Sequence, residues 1–214
     1  MILSLEGVQG TGKTTVAVAI AYEEWLESGK QKKIISNVHL GFEYTHFDLA
    51  FFLEHLVDGE LENCILILDE MYQIADSRSS ATKINKLFTY FAVQTRKRDV
   101  DLYICTHHLD HIDLRLRRSV DIRGACRYFP EIPCKACKGT KEVRGAPCER
   151  CKGWGELGYC RVQFLDRRKR QRFTSAQLLG HEIFGPDYWS LFNTKERIPI
   201  QARILAGIDT AEVV

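Results

Sequence analysis

Four stretches of the 214-residue chain carry residue types at spacings that can do chemistry. The first is GVQGTGKT, Gly7 to Thr14, which fits G-x-x-x-x-G-K-[ST] (Walker A) at every fixed position. Such a loop turns backbone N–H groups inward around a phosphate chain. The helix that follows adds partial positive charge at its N-terminus. Gly7, Val8, Gln9, Gly10, Thr11, Gly12, Lys13, Thr14 and Thr15 are the expected ATP-binding residues. Lys13 is expected to reach the β- and γ-phosphates, and Thr14 to bind Mg²⁺. The second stretch, CILILDE, ends in Asp69 and Glu70. Asp69 can hold Mg²⁺ through water, and Glu70 can polarise an attacking water. Hydrolytic motors use such a glutamate, whereas kinases acting on small substrates do not need it.

The third stretch, CTHHLDHID, places three histidines and two aspartates between Cys105 and Asp113. It narrowly misses the H-x-H-x-D-H pattern of metallo-hydrolases, because Thr106 stands where the first histidine belongs. Metal binding by His107, His108 and His111, phosphate sensing by His107, and a structural role are the three readings. The fourth is C-x2-C-x10-C-x2-C, formed by Cys134, Cys137, Cys148 and Cys151. Two such knuckles present four thiolates to one tetrahedral Zn²⁺ and leave no open position, so a structural zinc site is expected. The surrounding Lys135, Lys138, Lys141, Arg144, Arg150 and Lys152 could touch phosphates, dock a protein partner, or merely clamp a hairpin.

The elements that must position these residues are readable from hydrophobic period. MILSLEG reads as a first strand, followed by a helix from Lys13 to about Ser28 stopped at Gly29. KKIISN is a second strand, residues 47–57 have helical period, and CILILDE is a continuous apolar run typical of a buried parallel strand. A long helix over about 81–96 leads to the strand DLYICT. Strand and helix alternate, so the fold class is α/β: a P-loop NTPase, with a parallel sheet flanked by helices and a small zinc-binding insertion. In such sheets the carboxyl ends of the strands face the ligand crevice, which puts Thr106 and His107 near the γ-phosphate. The expected organisation is an ATPase core over 1–125, a zinc-binding insertion on a β-hairpin over 126–172, and a segment over 173–214 packing back on the core.

Composition narrows the function classes. A net charge of +2 excludes a polycation, but basic clusters stand at 96–98, 115–118 and 167–172. No apolar run approaches the roughly 18 residues a membrane helix needs, so no membrane insertion is expected. The four remaining cysteines, Cys64, Cys105, Cys126 and Cys160, sit in apolar strand contexts, unlike a secreted disulfide framework.

The stretch TRKRDVDLYICTHHLDHIDLRLRRSVDI resembles the zonula occludens toxin-like branch of the FtsK–HerA ATPases, which includes viral genome-packaging ATPases. Those proteins carry an arginine just before a strand, a glutamine at its end and then an ID-x-R-x-R-like stretch. Here Arg96 precedes the strand, His107 stands at the glutamine position, and Arg115 and Arg117 follow. SNVHL and LFNTKERI are also similar, and the resemblance covers roughly 1–125 and 183–198. It implies a homo-oligomeric ring, hexamer or pentamer, with ATP sites between subunits, double-stranded DNA in the channel and a capsid or portal protein as a docking partner. Arg96, then Arg115 and Arg117, are the arginines it nominates to act across a subunit interface. It implies a motor that packages a viral genome in the host cytoplasm or at the procapsid vertex, with Arg167, Arg168 and Arg170 expected on DNA phosphates. A phage morphogenesis ATPase of the toxin type is a second reading. LEGVQGTGKTT is also close to the start of thymidylate kinases, and type II thymidine kinases combine a P-loop with paired cysteines, so a nucleoside or nucleotide kinase is a third. A zinc-containing adaptor that uses nucleotide as a switch is a fourth.

Overall fold

The computed structural model describes residues 1–56, 59–71, 83–131 and 133–193. The elements in order are β1 (Ile2–Glu6), α1 (Lys13–Glu27), β2 (Lys33–Ser36), β3 (Thr45–His46), α2 (Leu49–Glu54), β4 (Cys64–Leu68), α3 (Lys83–Gln94), β5 (Val100–Thr106) and α4 (Leu114–Ser119). They continue with β6 (Ile122–Glu131), β7 (Glu142–Val143), β8 (Ala146–Pro147), β9 (Leu157–Asp166), β10 (Gln171–Thr174), α5 (Ser175–Leu179), β11 (Ile183–Phe184) and α6 (Gly185–Tyr188). The expected helix start at Ala81 and the end of LFNTKERI, residues 194–198, lie outside the described residues.

The main sheet runs β10-β9-β6-β1-β5-β4-β2-β3, with β11 added beside β9. From β6 to β3 every pairing is parallel, while β9 joins β6 antiparallel. Alternation along each parallel strand divides the core. Leu3, Leu5, Ile65, Ile67, Tyr103 and Cys105 pack under α1 through Val16, Ala17 and Ile20. Ile2, Leu66, Leu68, Leu102 and Ile104 pack on the other face against Phe52, Phe88, Phe91 and Leu116 of α2, α3 and α4. Both faces of these strands are covered, which explains their continuous apolar runs.

β6 and β9 form a ten-residue antiparallel pair from Ile122↔Asp166 to Glu131↔Leu157. Only Ile122–Ala125 also pairs with β1, so the outer half of this hairpin projects past the carboxyl end of β1. The four cysteines sit beyond its far end. The helix expected over 47–57 is described only as α2, shorter and capped by Asp48, whose carboxylate accepts from Phe51 N at 2.7 Å. Strand β3 carried no sequence signal: at two residues it has no period to read. The same holds for β11.

Candidate active site and metal centre

The loop between β1 and α1 depends on two glycines. Gly12 is the N-cap of α1 with φ 82°, and a Cβ there would lie 2.5 Å from Cys160 Sγ. Gly7 has φ 154°, and a Cβ would lie 2.5 Å from Thr11 Oγ1. No side chain caps α1, which leaves its first N–H groups to the loop cavity. Thr11 Oγ1 donates to Val8 O at 2.7 Å, and Lys13 Nζ donates to the same carbonyl at 3.2 Å. Lys13 is buried in the loop, where an ammonium would meet a phosphate chain with little water between them.

Thr14 Oγ1 donates to Asp69 Oδ2 at 2.6 Å, which joins the loop to the end of β4. Burial pushes the Asp69 carboxyl up, against the opposing hydrogen bond from Thr14. Asn37, just past β2, brackets the Asp69 backbone: Nδ2 donates to Asp69 O and Oδ1 accepts from Asp69 N, each at 2.8 Å. Glu70 follows in the left-handed region at φ 51°, sparsely populated backbone of the kind that concentrates at functional sites. Its Oε1 lies 3.6 Å from His107 Nε2, and its Oε2 is buried without a hydrogen-bond partner among the described residues. A hydroxyl and a carboxylate for Mg²⁺, an ammonium for phosphate and a glutamate oxygen facing a histidine thus meet at one sheet edge. The donor set suits Mg²⁺, a hard cation that takes oxygen ligands and keeps several waters.

The histidine-rich stretch divides between roles. His107 goes to Glu70. His108 instead caps the short 3-10 helix Leu109–His111, its Nδ1 accepting from Asp110 N at 3.2 Å. The four cysteines are the one group of three or more close potential metal ligands among the described residues. Arg115 is held by Asp113, with Nε at 3.0 Å and Nη2 at 2.9 Å from its carboxylate oxygens, and Arg117 is paired with Asp110. Arg96 is exposed in the turn before β5, at the amino edge of the sheet, and does not join the site of its own chain. A further bond went unread in the sequence. Arg123 clasps Glu6 with two contacts of 2.8 Å, and Glu6 Oε2 also accepts from Leu109 N at 3.4 Å. This ties β1 and β6 to the segment after β5. Glu6 belongs to no spacing pattern, and Asn37 stands in the similar stretch SNVHL without a role of its own; the parallel register brings both in.

Cys134, Cys137, Cys148 and Cys151 are buried, and their sulfurs all lie within 4.8 Å of one another. The Cys137–Cys151 pair is 3.7 Å apart, close to the roughly 3.8 Å edge of a tetrahedron with Zn–S of about 2.3 Å. The two knuckles mirror each other. Cys134 N donates to Gly155 O and Cys148 N donates to Lys141 O, both at 2.9 Å. Lys138–Gly139 and Lys152–Gly153 take positive φ at matching positions. Backbone N–H groups, that of Cys137 first, hold the Cys134 thiol down at about 7. The donor set fits Zn²⁺, which would cross-link the two knuckles and supply no reaction. The module is docked as well: Lys152 pairs with Asp187 at 2.5 Å, and Trp154 meets Trp189 edge-on at 5.5 Å. Tyr188 next to them donates to Glu23 of α1 at 2.8 Å. Cys160, on the strand returning from the module, packs under Gly12 of the phosphate loop.

No helix among the described residues is long and apolar enough to cross a membrane. No curated protein matches the sequence. The N-terminal domain of zonular occludens toxin from Neisseria meningitidis shares the fold with a TM-score of 0.55 at 17% identity, over 81% of this chain and 91% of that one. The genome packaging NTPase B204 from Sulfolobus turreted icosahedral virus 2, solved with ATP-gammaS, does so with a TM-score of 0.52 at 13% identity, over 81% and 95%. These are representatives of the two kinds of protein that the sequence resembles. Residues 3–128 match the ATPase family associated with various cellular activities, more than half of the chain, and the chain belongs to this AAA family of P-loop ATPases.

Proposed function

We propose that this ATPase is a motor that moves double-stranded DNA, packaging a viral genome into a preformed capsid as a ring of identical subunits. The observation that carries the reading is Glu70, which points a buried carboxylate oxygen into the site beside the Thr14–Asp69 pair. A water-activating base is what a hydrolytic motor needs and a small-substrate kinase does not. The 94–120 stretch and the fold shared with a genome packaging NTPase support DNA as the cargo.

In this reading Gly7 to Thr15 hold ATP, Lys13 stabilises charge on the β- and γ-phosphates, and Thr14 and Asp69 hold Mg²⁺. Glu70 orients and deprotonates water, and His107 positions Glu70 or senses the γ-phosphate. An arginine from the neighbouring subunit completes the site. Residues 1–125 form the motor core, the hairpin over 126–172 carries zinc, and the described part of the last segment, 173–193, packs back on the core. The setting is the host cytoplasm or the procapsid vertex.

The deciding experiment measures phosphate release by assembled protein with and without duplex DNA, beside phosphate transfer to a panel of nucleosides. Release stimulated by DNA supports the motor. Transfer to a nucleoside would make the protein a kinase, and DNA-independent release by an assembled ring would overturn the translocase.

A further inference from the structure

β6 and β9 place Arg127 directly opposite Arg161 on the exposed face of the projecting hairpin. Two like charges in direct register repel, and sheets normally avoid the arrangement. One neutralising partner is present. Arg161 Nε contacts Glu182 Oε1 at 3.1 Å, and its guanidinium lies over the Phe129 ring at 5.4 Å. Among the described residues no carboxylate contact is seen for Arg127. The next pairs along the same face are Phe129↔Tyr159 and Ala125↔Gln163. Phe129 and Tyr159 are 45% and 40% exposed, so aromatic rings stand exposed beside the arginines. Arg127, Phe129, Arg161, Gln163, Thr174 and Glu182 line a cavity of about 450 Å³.

We propose that this face is a phosphate site that grips the phosphodiester backbone of DNA. An anion between the two guanidiniums turns a repulsive pair into a bidentate clamp. Arg161 is held by Glu182, which lines the same cavity, so a phosphate would share that guanidinium with Glu182. Gln163 adds an amide donor, and the aromatic rings give a flat surface for sugar or base contact. Contacts of this kind hold nucleic acid without reading its sequence. The face lies on a hairpin that contacts the phosphate loop through Cys160 and Gly12, so the grip would adjoin the ATP site. The assignment of DNA rests on the motor reading, whereas the phosphate clamp does not.

The test uses the full chain with zinc bound and compares Arg127→Gln, Arg161→Gln and the double variant with the unchanged protein. Binding of a duplex is followed by fluorescence anisotropy from 50 to 300 mM salt, and thermal stability is followed in chloride and in inorganic phosphate. The double variant is expected to lose about 0.9 units of salt slope, the value of the one phosphate contact that the two arginines share. Arg127→Gln should melt at or above the unchanged protein in chloride and lose the stabilisation that phosphate confers. Binding of a fluorescent ATP analogue should not change, which confirms that the core is folded. An unchanged slope with unchanged phosphate stabilisation in the double variant overturns the site. Unchanged protein that ignores DNA but is stabilised by phosphate through these arginines keeps the clamp and removes the DNA reading. Loss of oligomer mass in the variants, with DNA affinity per subunit intact, would assign the face to a neighbouring subunit and overturn the proposal.

Discussion

Thr14 Oγ1 donates its hydroxyl hydrogen to Asp69 Oδ2 at 2.6 Å, so the two expected Mg²⁺ residues hold each other. Asp69 is part-buried, and desolvation raises its carboxyl, meaning that the folded protein binds the carboxyl proton more tightly than the unfolded chain does. For a raised acid the sign is definite. The stabilisation is present below the unfolded pKa and lost as pH rises through the folded one, so at neutral pH the ionised Asp69 costs stability. Asp69→Asn should therefore raise the melting temperature of the nucleotide-free protein. The amide can donate to Thr14 and still accept from Glu70 N. A gain of roughly 2–4 °C for each kcal/mol relieved is the scale for a chain of this size. The same variant should lose the stabilisation given by ATP with magnesium. Paired melts, with and without the nucleotide, read both effects; a lower melting temperature without nucleotide would contradict the burial argument.

Glu70→Gln should bind ATP and hydrolyse it about 100-fold more slowly, the scale of losing a general base. His107→Gln should retain most turnover, because a glutamine can still donate to Glu70, and His107→Ala should lose more. Single-turnover hydrolysis beside nucleotide affinity separates chemistry from binding. Normal turnover in Glu70→Gln would remove this residue from the mechanism.

The phosphate loop, the Asp69–Glu70 strand end and the four cysteines were legible because each is a local spacing that a regular element turns into a geometry. Alternation of strand and helix was legible for the same reason, as was the hairpin on either side of the cysteines. Asn37, Glu6 and Cys160 were not, because each acts through strand pairing or packing between segments far apart in sequence. The histidine stretch shows the limit of composition: His107 and His108 are adjacent, yet strand geometry sends one to Glu70 and the other to a helix cap. The brace between the zinc module and α1 was not legible either, because it needs Trp154 against Trp189 and Tyr188 against Glu23, contacts between distant segments.

Purified protein should contain one zinc per chain, read by elemental analysis. Chelation or Cys148→Ser should loosen the hairpin and weaken ATP affinity several-fold, since Cys160 supports Gly12 from the same strand. The Cys134 thiol, held down to about 7, favours the thiolate in the fold, so that contribution is present at higher pH and fades as pH falls through about 7. Zinc should then be released more readily on the acid side. Absence of zinc, or chelation without effect on hairpin protection in hydrogen exchange, would remove the structural site.

The cluster 167–172 divides on inspection. Arg167 Nη1 donates to Arg117 O and Val120 O, each at 3.0 Å, and Arg168 is paired with Asp121. These two hold the turn. Lys169 N donates to Asp166 Oδ1 at 2.9 Å, but among the described residues neither Lys169 nor Arg170 makes a side-chain ion pair or hydrogen bond, which leaves both side chains for phosphate. Arg167→Ala should lower the melting temperature, and Lys169→Ala with Arg170→Ala should reduce the salt slope of DNA binding by at most about 1.8 units. An unchanged slope would make the cluster a solvated turn.

Arg96 carries the last prediction. It precedes β5, whereas the phosphate loop lies beyond the paired end Glu6↔Thr106. The seven residues of β5 separate them by roughly 20 Å at about 3.3 Å per residue. Arg96 is therefore too far to serve the site of its own chain, and it can act only on the site of a neighbouring subunit, as a cation placed on the transferring phosphoryl group. Arg115 and Arg117 lie nearer the loop, but Asp113 and Asp110 already hold them, so reaching across would break an ion pair first. Arg96 is exposed and has no such cost. Arg96→Ala and Lys13→Ala should each be inactive as pure assemblies. Mixed assemblies should recover activity, because some interfaces pair an intact Arg96 with an intact Lys13. Recovery should follow the mixing ratio and peak near equal amounts. If neither Arg96 nor Arg115 nor Arg117 variants are rescued by mixing, while mixed assembly is verified by mass, the ATP sites are not shared between subunits.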